Sequence, residues 1–83
     1  MKKELKSKAK NLRPILNIGK NGINKEVLEH IKMLLEKKKL IKIKLLRSFP
    51  GQSDRKETAK MLSKITDSEL IEQVGFVIVL WKE

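Results

Sequence analysis

Two glycines three positions apart, Gly19 and Gly22, enclose a cation and an amide, Lys20 and Asn21, in a chain of net charge +10. Glycine lets a backbone come close to another group, and the helix pattern opening at Asn24 offers free N–H groups and a positive dipole end. This chemistry suits the clamping of a phosphate. Amides near Gly22 and Ile23 would meet the anion, Lys20 would neutralise it, and Asn21 would hydrogen-bond a sugar or base. Four residues are too few to discriminate base edges well. Nor is this a P-loop, because Lys20 follows the first glycine and no Gly-Lys-Ser/Thr closes the segment.

The remaining charge falls in two blocks. Lys2, Lys3, Lys6, Lys8, Lys10 and Arg13 stand against Glu4 alone, and Lys37, Lys38, Lys39, Lys42, Lys44 and Arg47 are interrupted by no acid. Clustering of this kind points to a polyanion more than to general solubility. Lys6, Lys10 and Arg13 are the candidates for holding the strand that flanks the glycine loop. Lys42, Lys44 and Arg47 form a second candidate surface, if the strand pleat aims them towards the loop.

Other chemistries find little support. The chain has no cysteine and one histidine, His30, so neither a thiolate metal site nor a cysteine nucleophile is available. Ser48, Ser53 and Ser63 have no evident base. We therefore expect no enzyme activity, cofactor, metal or small-molecule substrate. Three aromatic residues, Phe49, Phe76 and Trp81, are too few for a base-stacking platform. Binding should rest on charge and backbone fit. The lysine-coated first helix could lie on anionic lipid, but its thin apolar face lacks an aromatic anchor, and we expect no membrane role. Nothing in the sequence directs the chain out of the cytoplasm.

The elements that must position these groups can be read from periodicity. Met1, Leu5, Ala9 and Leu12 form a stripe on a first helix over Lys2 to Leu12, which Pro14 ends. Ile15 to Ile18 is a short strand. Asn24 caps a second helix, apolar at Val27, Leu28, Ile31, Leu34 and Leu35, that runs to about Glu36 or Lys37. Its lysines pair as Lys25 with Glu29 and Lys32 with Glu36. Leu40 to Leu46 alternates as a strand, and Ser48 to Gln52 is a turn. Asp54 and Glu57 resemble a capping box for a third helix buried along Ala59, Leu62 and Ile65. Two strands follow, Glu69 to Val74 and Phe76 to Trp81, the last apolar enough to be central. The expected fold is a single two-layer α/β domain over residues 1–83, in the order α-β-α-β-α-β-β. An 83-residue chain buries only about 60% of its unfolded surface, so it should work at its exterior, and as a monomer.

These segments resemble a known family. Lys10 to Ile23 (a Leu-basic-Pro step, an apolar strand and Ile-Gly-Lys-x-Gly), Glu36 to Leu46 with its Leu40-Ile41-Lys42 core, and Thr66 to Trp81 with Val74-Gly75 and Val79-Leu80-Trp81-Lys82 are similar to the CRM domain. This is the chloroplast RNA splicing and ribosome maturation module, which includes stand-alone YhbY-like members. The resemblance implies a fold like the C-terminal domain of translation initiation factor three, with an added N-terminal helix and a four-stranded mixed sheet. It also implies RNA binding through Gly19 to Gly22 and the basic first helix. Single-domain members are associated with precursor large ribosomal subunits, so ribosomal RNA is the implied partner. A nonspecific DNA or polyanion binder and a protein–protein adaptor remain the alternatives. At Lys82 the family often has arginine, whose bidentate phosphate geometry is lost here, and we expect no contact from that residue.

Overall fold

A computed structural model describes residues 2–50 and 54–83. Its seven elements follow the expected order: α1 (Lys2–Lys10), β1 (Leu16–Ile18), α2 (Lys25–Lys38), β2 (Leu40–Leu45), α3 (Arg55–Ile65), β3 (Glu69–Val74) and β4 (Val77–Trp81). The strands make one mixed sheet in the order β1-β2-β4-β3. β1 runs parallel to β2, with Leu16 opposite Ile43 and Ile18 opposite Leu45, and α2 supplies the crossover that a parallel pair requires. β4 is antiparallel to both its neighbours. It is paired on both edges and covered on both faces, which accounts for three consecutive buried residues, Ile78, Val79 and Leu80.

Alternation sorts the two faces of the sheet. Ile18, Ile41, Ile43, Leu45, Ile78 and Leu80 point towards α2 and α3, where Ile31, Leu34, Leu35, Ala59 and Leu62 close the main core. α1 lies on the opposite face, where Ala9 and the half-buried Leu5 pack with Ile71, Val79 and Trp81. It adds a partial third layer to the α/β pair. Asn17 and Lys44 stay exposed, so that face is uncovered where these two residues pair, towards the end of β1 and β2.

Several helix details differ from expectation. α1 stops at Lys10, and Leu12, 38% exposed, leaves the docking stripe. α2 is capped as expected, the Val27 N–H donating to Asn24 Oδ1 at 2.9 Å, but it runs on to Lys38. Its stop is Lys39 in the left-handed region at φ 67°, a place where sequence reasoning looks for glycine. At α3 the Asp54 side chain makes no cap bond, so the capping box does not form; Glu57 meets Lys60 instead, at 3.9 Å. Ile65 is 44% exposed, and its expected buried place goes to Thr66, 1% exposed, whose hydroxyl donates to Leu62 O at 2.6 Å. At about 100° per residue, Ala59, Leu62 and Thr66 share a narrow arc that Ile65 falls outside. Phe49, read as part of a turn, is buried in the main core. Met1 of the expected stripe, Gly51 and Gln52 of the turn, and Ser53 lie outside the described residues.

Candidate nucleic-acid interface

The Gly19–Gly22 segment is a closed turn: the Gly22 N–H donates to Gly19 O at 3.0 Å, and Gly22 sits at φ +67°. Gly22 therefore spends its amide inside the loop, which corrects the expectation that this N–H meets a phosphate. Among the described residues, no acceptor takes the N–H groups of Lys20, Asn21 and Ile23. Those three amides, with the opening turn of α2 just beyond, are the donors the loop leaves open.

The parallel pairing of β1 and β2 fixes what surrounds it. Leu46 N–H donates to Ile18 O at 2.8 Å, so the chain leaving β2 runs beside the loop. A Cβ at Gly19 would stand 3.3 Å from Ser48 Oγ and 3.4 Å from Leu46 Cδ1, and one at Gly22 would stand 3.5 Å from Pro50 Cγ. Arg47, between Leu46 and Ser48 in the chain, is exposed. Lys44 is exposed and lies opposite Asn17 in the register, on the uncovered sheet face. Lys20, Lys44 and Arg47 are thus gathered at one end of the sheet.

Lys42 has a different position. It shares the face of Lys44, but its ammonium donates to Ala9 O at 3.2 Å and to Leu12 O at 3.3 Å. A cation on the last carbonyls of a helix satisfies groups that have no partner within the helix and meets the negative dipole end. Lys42 latches the C-terminus of α1 onto β2, and the Ile15 N–H donates back to Lys42 O at 2.8 Å. Lys10 and Arg13 are exposed at the latched end and Lys6 is one turn earlier. From Ile15 to Gly19 the chain advances ~13 Å at strand spacing. The basic end of α1, Lys44 and the glycine loop are therefore consecutive stations along β1. Sequence reasoning missed the latch and the Ser48–Pro50 wall because each joins residues far apart in the chain and carries no local signal.

Two expected ion pairs are absent, and one takes their place. Glu36 meets Lys82 at 3.1 Å rather than Lys32, and no ion pair joins Lys25 to Glu29 among the described residues. The Lys82 N–H donates to Lys39 O at 2.8 Å, which brings the end of β4 beside the end of α2. The Lys82 hydrogen bond, then the charges of Lys82 and Lys39, hold the Glu36 carboxyl below the usual carboxylate range. His30 is exposed. No helix of the described residues is long and apolar enough to cross a membrane.

The model of the CRS1 / YhbY (CRM) domain matches residues 1–82. The chain belongs to the CRM-domain family. Among its relatives, Probable RNA-binding protein YqeI of Bacillus subtilis is 38% identical over 82 residues, covering 99% of this chain and 83% of that one. Probable RNA-binding protein MJ0652 of Methanocaldococcus jannaschii is 35% identical over 82 residues, again 99% of this chain but 60% of the longer relative. The solution structure of the hypothetical protein SAV1595 from Staphylococcus aureus superposes with a TM-score of 0.81 at 41% identity, covering 99% of this chain and 83% of that one. The CRM fold expected from the sequence is the fold observed.

Proposed function

We propose that this CRM-domain chain is an RNA-binding assembly factor, acting as a cytoplasmic monomer on precursor ribosomal RNA of the large subunit. One observation carries the binding site: an amide-bearing glycine turn sits at the same end of the sheet as Lys20, Lys44 and Arg47. The names of YqeI and MJ0652 support RNA as the polymer, and the likeness to single-domain family members supports a ribosomal one. In this reading the amides of Lys20, Asn21 and Ile23 meet a phosphate and Lys20 neutralises it. Asn21 reaches a sugar or base, Lys44 and Arg47 hold the next phosphates, and Lys6, Lys10 and Arg13 hold the strand beyond. Lys42 keeps the two groups in register. No bond is made or broken, so the role is positional.

The test is an amide-resolved NMR titration with a structured ribosomal RNA fragment, repeated for the K20D/N21D double variant. Shifts should centre on residues 19–23 and 44–48, and the variant should lose most affinity with its circular dichroism unchanged. Full affinity in a folded variant removes the loop from the mechanism. Duplex DNA of equal length competing equally at matched salt would make the chain a general polyanion binder.

A further inference from the structure

On the side of the molecule where β1 begins, Leu12 and Ile15, 38% and 41% exposed, line a groove of about 140 Å³ together with Leu40 and Ile41. Its ionisable lining residues are Arg13, Lys38 and Lys42, and among the described residues that line it none is acidic. Apolar residues under a cationic rim fit a ligand that carries a flat apolar face and a negative charge at once. A cavity of about 150 Å³ accepts a single six-membered ring such as benzene, which matches one pyrimidine better than a purine.

The rim also discriminates by hydrogen-bond sense. Ammonium and guanidinium groups donate and never accept. Two of the three Lys42 protons are already given to Ala9 O and Leu12 O, which fixes the head of this side chain at the groove and leaves one to offer. A base edge rich in carbonyl oxygens suits such a rim, whereas the exocyclic amino group of cytosine finds no acceptor among these three side chains.

Resting on the RNA-binding reading above, we infer that this groove seats one unstacked uracil of the bound strand. Leu12 and Ile15 lie under the ring, Lys42 meets a carbonyl, and Arg13 and Lys38 hold the adjoining phosphates. The groove and the glycine loop lie at opposite ends of β1, ~13 Å apart, close enough for one single strand to touch both. Such a seat would give the molecule a base preference that the loop alone does not supply.

The experiment compares short single-stranded RNAs of equal length, oligouridine against oligocytidine, at fixed salt. Binding is followed by the methyl signals of Leu12 and Ile15 and the amide signals of residues 19–23 in the unaltered protein. Oligouridine should bind about tenfold more tightly and move both sets of signals. The double substitution Leu12→Ser and Ile15→Ser, at exposed positions, should abolish that preference while the loop amides still respond. Loop amides that move with unmoved groove methyls, or equal affinity for the two polymers, overturn the groove and leave the RNA-binding reading standing. If neither set moves with any RNA, including the ribosomal fragment, the underlying reading fails as well. Groove methyls that respond to an acidic, leucine-rich peptide and to no RNA would mark a protein-docking site and overturn the uracil assignment.

Discussion

At φ +67° Gly22 occupies backbone space that costs other residues roughly 1–2 kcal/mol, whereas Gly19 has no positive φ and is limited only by its neighbours. The two glycines of one motif therefore tolerate change unequally. Gly22→Ala should lose about 1–2 kcal/mol in urea unfolding and disturb the turn that aims the Lys20 and Asn21 amides. Gly19→Ala meets the Ser48 hydroxyl at 3.3 Å, a small side chain that can turn aside. Its stability loss should stay below about 1 kcal/mol, and equal losses at both sites would refute this division. Lys20 adds a different signature. Because a lysine meets a phosphate as a point charge, Lys20→Ala should weaken binding to every RNA sequence alike and reduce the salt slope by about 0.7, the share of one contact on a single strand.

Between elements, two lysines do work that their own segments do not reveal. Lys42 ties α1 to β2 through two carbonyls, so Lys42→Met, which keeps the aliphatic stem, should loosen the helix without touching the main core. We expect a loss of about 1–2 kcal/mol and faster hydrogen exchange in α1, with α2 and α3 little changed. Lys82 joins β4 to α2 through Glu36. The folded Glu36 carboxyl titrates below its ordinary value of 4.5, so its contribution to stability is present above that value and fades as pH falls through the lowered one. In Lys82→Met, carboxyl NMR should show the Glu36 titration moving back up towards the ordinary value; an unmoved titration would deny the pair. The seven elements were legible because Leu40 to Leu46 alternates and Val27 to Leu35 repeats at helical spacing, patterns that burial enforces directly. The left-handed Lys39, the unused Asp54 cap and the exposed Ile65 were not. Each depends on what another element leaves open, as when Thr66 takes the inward place by bonding to Leu62 O. The candidate site divides likewise: the glycine loop announces itself in sequence, but whether Lys42 faces ligand or helix is decided 33 residues away, at Ala9.

For the whole molecule the question is whether the two basic blocks act as one surface. They are separated in sequence by the electrically balanced α2 region, yet the parallel β1–β2 pairing and the Lys42 latch set the end of α1, Lys44 and the loop along one strand. If a single RNA strand follows that line, it meets Lys6, Lys10, Arg13, Lys20, Lys44 and Arg47 together. Six phosphates neutralised on single-stranded RNA imply that log K falls with log salt at a slope of about −4, near 0.7 per contact. The loop alone, with Lys20 and one neighbour, implies a slope of about −1 to −2. Affinity measured across a range of salt concentrations separates the two. The same series on Lys42→Met is the sharper test, because that substitution removes a cation with no assigned phosphate. If the latch holds both halves in register, its loss should lower the slope by more than one unit, as Lys6, Lys10 and Arg13 drift from the strand's path. A drop of about 0.7, the share of a single contact, would make Lys42 itself a phosphate ligand. An unchanged slope would show that the end of α1 finds the RNA without help from the sheet.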